Sequence, residues 1–233
     1  MKPVIIQQNS RAIVYDADAL PAMEPQFFDP EYWRGQGALT GSAPGRGTSW
    51  FVDAPWGASV LRQYRRGGMV ARFNRNHYLY TGRERSRPFR EFHVLENMTA
   101  DGLRVPAPQA ALCVVKGLVY EAALITRRIA PARALVEHFA NENFDWQRLG
   151  AELRTFFNAG MEHADLNARN ILIHDESHAA WVIDLDASSY DPSRPGDGAD
   201  QLARLKRSLE KRWPADAPPM QRAWQALLQG HAS

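Results

Sequence analysis

Hydrophobic positions along the chain recur with two different spacings, and the change from one to the other delimits the elements. Residues 4–19 read as short strands around a turn. Phe28-Asp29-Pro30-Glu31-Tyr32-Trp33 predicts a helix start: the Asp29 carboxylate can accept from free amides, and Pro30 suits the first helical position. A glycine- and proline-rich stretch, 41–47, leads into a strand at 48–52, and the turn Pro55-Trp56-Gly57 joins it to a second strand at 58–64. Phe89, Phe92, Leu95 and Met98 fall three residues apart, which marks one face of a helix over 88–100 that stops near Gly102. Residues 110–115 and 118–126 predict a hairpin turning at Lys116-Gly117.

Further on, Leu135, Val136 and Phe139 suggest a short helix. Trp146, Leu149, Leu153, Phe156 and Phe157 mark a longer one closing near Gly160. Residues 171–173 and 180–183 read as short strands flanking a turn at 174–178. The last clear helix, 200–211, turns Leu202, Leu205 and Leu209 inward, with Arg204, Lys206, Arg207 and Lys211 beside or opposite them. Strands with one helix come first and mostly helices follow. This order predicts an α+β protein in two lobes, 1–126 and 127–233.

Cys113 is the only cysteine, so an internal disulfide and a thiolate metal cluster are excluded and a reducing compartment is expected. Its apolar surroundings, 110–115, make it a small core residue. The first twenty residues lack a basic start followed by a long apolar stretch, and no apolar run approaches the roughly 20 residues of a membrane helix. Any membrane association is therefore expected to be peripheral. The net charge of +2 hides an asymmetry: from Leu61 to Arg90 there are nine arginines against one acid, Glu84. Such a field attracts phosphates, anionic lipid headgroups or nucleic acid, although the same arginines could simply be solvated on a loop and two strand faces.

The strongest chemical signal is His163-x-Asp165-x-x-x-x-Asn170, followed by apolar Ile171-Leu172-Ile173 and later by Ile183-Asp184. Phosphoryl transfer asks little of a protein beyond positioning and charge neutralisation. One carboxylate must sit beside the attacking hydroxyl. An amide oxygen and a second carboxylate can hold Mg²⁺, a hard cation that prefers oxygen. A loop from Asp165 to Asn170 can turn both toward one cleft, and a 171–183 hairpin returns Asp184 to it. Alone, the same residues could only cap turns; together with the strand, the turn and the apolar-flanked Asp184 they point to catalysis.

This pattern resembles the catalytic loop and metal-binding aspartate of the protein-kinase superfamily. The resemblance implies a bilobal protein-kinase-like fold with a β-rich N-lobe, which binds the nucleotide phosphates, and a compact helical C-lobe. It also implies ATP and Mg²⁺ as cofactors. Asp165 becomes the catalytic base, Asn170 and Asp184 the metal ligands, and His163 a residue that orders the loop. Asp186 stands where the eukaryotic motif has glycine, as a further metal ligand or a harmless variant. Gly45-Arg46-Gly47-Thr48-Ser49 matches in part a phosphate-covering glycine loop, which puts Gly45, Gly47 and Thr48 beside the phosphates. Arg62 stands in place of the usual strand lysine, with Glu91 as its helix partner and Glu96 as second choice; the two cations are not equivalent at a tight phosphate site.

Little chain follows Asp184, and no activation segment or Ala-Pro-Glu motif is visible there, so a small-molecule or glycolipid acceptor is expected rather than a protein. The chain resembles the Kdo (3-deoxy-D-manno-octulosonic acid) kinases among the lipopolysaccharide core kinases. The likeness rests on 28–33, 45–52, Leu61-Arg62-Gln63-Tyr64-Arg65-Arg66-Gly67-Gly68, Phe89-Arg90-Glu91-Phe92, 163–170, 183–186 and Leu202-x-Arg204-Leu205-x-Arg207-Ser208-Leu209. It implies transfer of the ATP γ-phosphate to the 4-hydroxyl of Kdo on a lipid A precursor, at the cytoplasmic face of a Gram-negative inner membrane. The Kdo carboxylate and lipid phosphates suit an anionic-substrate clamp of Arg65, Arg66, Arg72 and Arg75, and the 200–211 helix could lie on anionic lipid. The alternatives are a soluble aminoglycoside- or choline-type kinase, disfavoured by the arginines, and an inactive kinase-like binding module, disfavoured by the retained Asp165, Asn170 and Asp184. No basic-aromatic motif supports nucleic-acid binding.

Overall fold

The computed structural model describes residues 1–43, 49–64 and 78–233, which divide into two compact units. The first comprises Met1–Glu96 and Pro106–Arg128, and the second Asn97–Val105 and Ile129–Ser233.

The first unit is built on an antiparallel sheet. Its strands are β1 (Pro3–Gln8), β2 (Arg11–Asp16), β3 (Leu39–Ala43), β4 (Ser49–Ala54), β5 (Gly57–Gln63), β6 (Tyr78–Leu79), β7 (Pro108–Lys116) and β8 (Val119–Arg127). They are ordered β1-β2-β7-β8-β5-β4-β3, with β6 also pairing β8. The β7–β8 hairpin turns at Gly117, whose φ of 63° a side chain would disfavour. The helix α1 (Pro30–Gly35) begins as its sequence dictates, with Asp29 Oδ1 accepting from the Glu31 amide at 3.0 Å and Pro30 in the first turn. Trp33 on α1 and Phe28 before it are buried in one cluster with Ile13, Trp50, Val52, Leu61 and Ile125 from four strands. The helix α2 (Arg87–Ala100) buries Phe89, Phe92, Leu95 and Met98, the three-residue series read from the sequence. Cys113 is buried and unpaired, and burial pushes its thiol up.

In the second unit, strands β9 (Ala132–Ala134), β11 (Ile171–His174) and β12 (Ala180–Val182) form a small antiparallel sheet ordered β12-β11-β9. A second pair joins β10 (Met161–Glu162) to β13 (Ser189–Tyr190). The segment read as a short helix near 135 is a 3-10 turn, Leu135–His138. The helices are α3 (Trp146–Asn158), α4 (Ala199–Arg212) and α5 (Met220–Ala232). The last of these, α5, and strand β3 of the first unit lie outside the elements expected from the sequence. Among the described residues no helix is long and apolar enough to cross a membrane.

Helices α3 and α5 meet backbone to backbone. A Cβ on Gly150 would lie 1.9 Å from the Leu227 carbonyl oxygen, and one on Gly230 would lie 1.7 Å from that of Gln147. Main chain cannot rotate aside as a side-chain end can, so any larger residue must spread the helices. Gly230→Ala is expected to cost about 3 kcal/mol by overpacking, lowering Tm by about 6–12 °C in a thermal melt. A melt superimposable on that of the wild type would contradict this packing.

Candidate active site

Between β10 and β11 the backbone has no ladder of its own, so its polar groups must find side chains. Four amides do so. His163 N–H donates to Gln201 Oε1 (2.8 Å) and Ala164 N–H to Ser188 Oγ (3.1 Å). Asp165 N–H donates to His163 Nδ1 (3.1 Å) and Ala168 N–H to Ser208 Oγ (3.2 Å). The Asp165 carbonyl accepts from the side-chain amides of Asn167 (3.0 Å) and Asn170 (2.9 Å). Leu166 and Ala168 are fully buried whereas Asp165 is exposed, so the loop is anchored through its apolar residues and presents a carboxylate.

The His163 ring is 1% exposed. Because its Nδ1 accepts from Asp165, its proton sits on Nε2, which donates to the Ile183 carbonyl at 3.0 Å. Burial pushes its pKa below the ordinary 6.5, opposed by the Ile183 carbonyl and the Asp184 and Asp165 carboxylates and assisted by Arg204. One neutral tautomer thus joins the backbone of Asp165 to the residue preceding Asp184.

The β11–β12 hairpin brings Asn170 and Asp184 together. Ile171 pairs with Val182, and the Asn170 carbonyl accepts from the Ile183 amide at 2.9 Å. Asp184 has φ 62°, in the left-handed region that aspartate tolerates better than most side chains. The chain turns there, exposing Asp184 and burying Leu185, and leaves Asp186 half-buried. The Asn170 NH₂ is engaged by the Asp165 carbonyl, so its side-chain oxygen is the end available to a cation. Among the described residues, no three or more His, Cys, Asp or Glu stand together as a metal cage. An amide oxygen and a carboxylate are hard donors that suit Mg²⁺, an ion that retains waters and takes phosphate oxygens. The donor set fits.

In the first unit Arg62 on β5 is ion-paired with Glu91 on α2, whose side chain is 2% exposed. Glu96, the other helix carboxylate considered for Arg62, bonds His93 Nδ1 at 3.0 Å. The sequence reading missed the third member of the group, Tyr64. Its hydroxyl donates to Glu91 Oε2 at 2.5 Å and accepts from Arg62 at 3.1 Å. Burial first, then the Glu91 charge, pushes the phenol well above its ordinary pKa, so it remains a donor. The available signal was the two-residue spacing, which puts Arg62 and Tyr64 on one side of an extended chain. Gly45, Gly47 and Thr48 of the glycine stretch, and Arg65, Arg66, Arg72 and Arg75 of the arginine clamp, lie outside the described residues.

Helix α4 carries the leucines expected of it, with Leu202, Leu205 and Leu209 buried. Two of its cations are engaged within the unit: Arg204 donates to the His163 carbonyl (3.4 Å) and Lys206 faces Glu210 (3.9 Å). Arg207, Lys211 and Arg212 are exposed.

Comparison with known proteins agrees with these features. The model of the lipopolysaccharide kinase (Kdo/WaaP) family matches residues 30–231. A 3-deoxy-D-manno-octulosonic acid kinase of Vibrio vulnificus (strain YJ016) is 39% identical over 232 residues, 97% of each chain. One of Xanthomonas campestris pv. campestris (strain B100) is 42% identical over 202 residues, 86% of this chain and 80% of the relative. Among solved structures, WaaP in complex with acyl carrier protein aligns with a TM-score of 0.55 at 13% identity, covering 91% of this chain and 88% of that one. That likeness is one of fold, and the fold is protein-kinase-like. A matched family model over most of the chain and relatives near 40% identity together establish that the chain is a phosphotransferase belonging to the lipopolysaccharide kinase (Kdo/WaaP) family.

Proposed function

We propose that this enzyme transfers the γ-phosphate of ATP to the 4-hydroxyl of a Kdo sugar on a lipid A precursor, working peripherally at the cytoplasmic face of the bacterial inner membrane. The observation that carries the catalytic part is the buried His163 ring, which fixes an exposed Asp165 beside the turn bearing Asp184. The acceptor rests on the names of the relatives at 39–42% identity and on the arginines between Leu61 and Arg90, whose charge suits a carboxylated sugar on a phosphorylated lipid. The same arginines disfavour the cationic acceptors of aminoglycoside- and choline-type kinases. The exposed Arg207, Lys211 and Arg212 give α4 a basic end suited to anionic headgroups.

In this proposal the Asp165 carboxylate orients the acceptor hydroxyl and takes its proton as the oxygen bonds to phosphorus and ADP leaves. Asn170 and Asp184 would hold Mg²⁺, which when bound neutralises phosphate charge. Arg62 supplies a fixed positive charge for the phosphates, its guanidinium oriented by Glu91 and Tyr64. Gly45, Gly47 and Thr48 would offer backbone donors to the same phosphates, and Arg65, Arg66, Arg72 and Arg75 would engage the acceptor's anionic groups.

Three outcomes are expected. Asp165→Ala lowers kcat for γ-phosphate transfer to Kdo-lipid A precursor by about 100-fold or more with the fold intact by circular dichroism; retained turnover removes Asp165 as base. Asp184→Ala abolishes the Mg²⁺-dependent part of ATP binding in calorimetry, and unchanged Mg²⁺ dependence sinks the metal assignment. The third concerns pH. His163 titrates lower in the folded chain than its ordinary 6.5, so the unfolded chain takes up more protons as pH falls through 6.5. Its stabilising contribution is therefore complete above 6.5 and lost below it. The denaturation midpoint of the wild type should converge on that of His163→Gln between pH 7.5 and pH 5, as expected from this linkage. A constant gap across that range would count against a buried neutral imidazole.

A further inference from the structure

Helix α4 carries two parallel stripes. Leu202, Leu205 and Leu209 form the buried apolar one. One residue earlier at each step run Gln201, Arg204 and Ser208, and all three bond the loop bearing Asp165. Gln201 uses both ends of its amide: Oε1 accepts from His163 N–H at 2.8 Å, and Nε2 donates to the Met161 carbonyl at 3.1 Å. Arg204 donates to the His163 carbonyl, and Ser208 Oγ accepts from Ala168 N–H at 3.2 Å. Seven residues of helix span about 10 Å, so the stripe grips the loop at both sides of Asp165.

Gln201 is only 7% exposed. A buried amide contributes nothing to helix packing that leucine would not, and it costs free energy unless every polar end is matched. Here both ends are matched to backbone, on consecutive parts of one chain segment. Such a donor–acceptor arrangement fixes position and register, which an apolar contact cannot do. The loop needs this because its amides have no ladder to join, and the exposed Asp165 carboxylate has no hydrogen bond or ion pair among the described residues. From this geometry we infer that Gln201 and Ser208 are positioning residues for phosphoryl transfer: they hold the two ends of the 163–168 loop, and through it place the Asp165 carboxylate. The inference rests on the proposed role of Asp165 as base. Arg204 supports the same loop from the middle of the stripe, and Ser188 does so from outside the helix through Ala164.

The test combines kinetics with amide hydrogen exchange on the full chain. Ser208 is half-exposed, so Ser208→Ala should fold; Ser208→Thr retains a hydroxyl, and Gln201→Met retains the volume of Gln201 without its hydrogen bonds. The expected result for Ser208→Ala is faster exchange at the Ala168 amide and a kcat for γ-phosphate transfer to Kdo-lipid A precursor lowered about 10- to 100-fold, as misplacing a reacting group does. KM for ATP should stay within about twofold, because this loop acts on the acceptor's proton rather than on nucleotide affinity. Ser208→Thr should restore both values, and Gln201→Met should repeat the pattern at the His163 amide. Unchanged exchange at Ala168 and His163 overturns the clamp. Faster exchange with kcat unchanged overturns positioning, and so does a parallel fall in kcat, ATP affinity and Tm, which would mark a general folding role. Asp165→Ala, run alongside, separates the two ideas. Full turnover there refutes Asp165 as base while the exchange data still decide the clamp, and they do so even if the wild type transfers no phosphate to this acceptor.

Discussion

The His163 ring lies between the Asp165 amide and the Ile183 carbonyl, and each nitrogen has one task that the other cannot perform. A proton on Nδ1 would oppose the amide, and loss of the proton from Nε2 would leave the carbonyl without its donor. Burial enforces this arrangement by disfavouring the charged form. The rest of the region inherits its geometry from that constraint. Ile183 is held, so its amide meets the Asn170 carbonyl; Asn170 is held, so its NH₂ meets the Asp165 carbonyl. The result is a closed circuit from 163 through 183 and 170 to 165, made almost wholly of backbone groups and small side chains.

Such a circuit explains how an unusual backbone conformation is sustained at Asp184. A left-handed non-glycine residue persists where its surroundings over-determine it. The residues before it are paired in a hairpin, and Leu185 after it is fully buried. The backbone at Asp184 is therefore set by the paired residues before it and the buried leucine after it. In the first unit a charged group is held by side chains. Arg62 has a buried carboxylate and a buried phenol against it, and the phenol adds a neutral donor that satisfies Glu91 without competing for charge.

Elements with one strong period were legible in the sequence. Helix α2 declares itself through four large side chains three apart, and α1 through the Asp29-Pro30 start. Helix α5 was not legible because its contact face is built from Ala223 and Gly230 as much as from Trp224 and Leu227, and small residues carry almost no hydrophobic signal. Strand β3 was hidden for the same reason, since Gly41 and Ala43 alternate with polar residues. Asp165, Asn170 and Asp184 stood out because their spacing follows a chemical pattern, and the structure links Asn170 to the Asp165 carbonyl and, through the β11–β12 hairpin, to the residue before Asp184. Gln201 could not: it stands 38 residues from its partner, and nothing about a glutamine at the start of an amphipathic helix distinguishes a buried clamp from a solvated polar position. Tyr64 was within reach, being two residues from Arg62, but its role depends on Glu91, which tertiary structure alone supplies.

The pairing of an arginine with Glu91 also alters how this protein responds to reagents. The chain's lysines are Lys2, Lys116, Lys206 and Lys211, and β5 contains none. A nucleotide carrying an amine-acylating group labels kinases through the strand lysine that their phosphates bring it to. A guanidinium stays protonated at any physiological pH and offers no nucleophilic nitrogen to such a reagent. In the role proposed for it, Arg62 is thus chemically silent where a lysine would react, and β5 offers such a reagent no amine to capture.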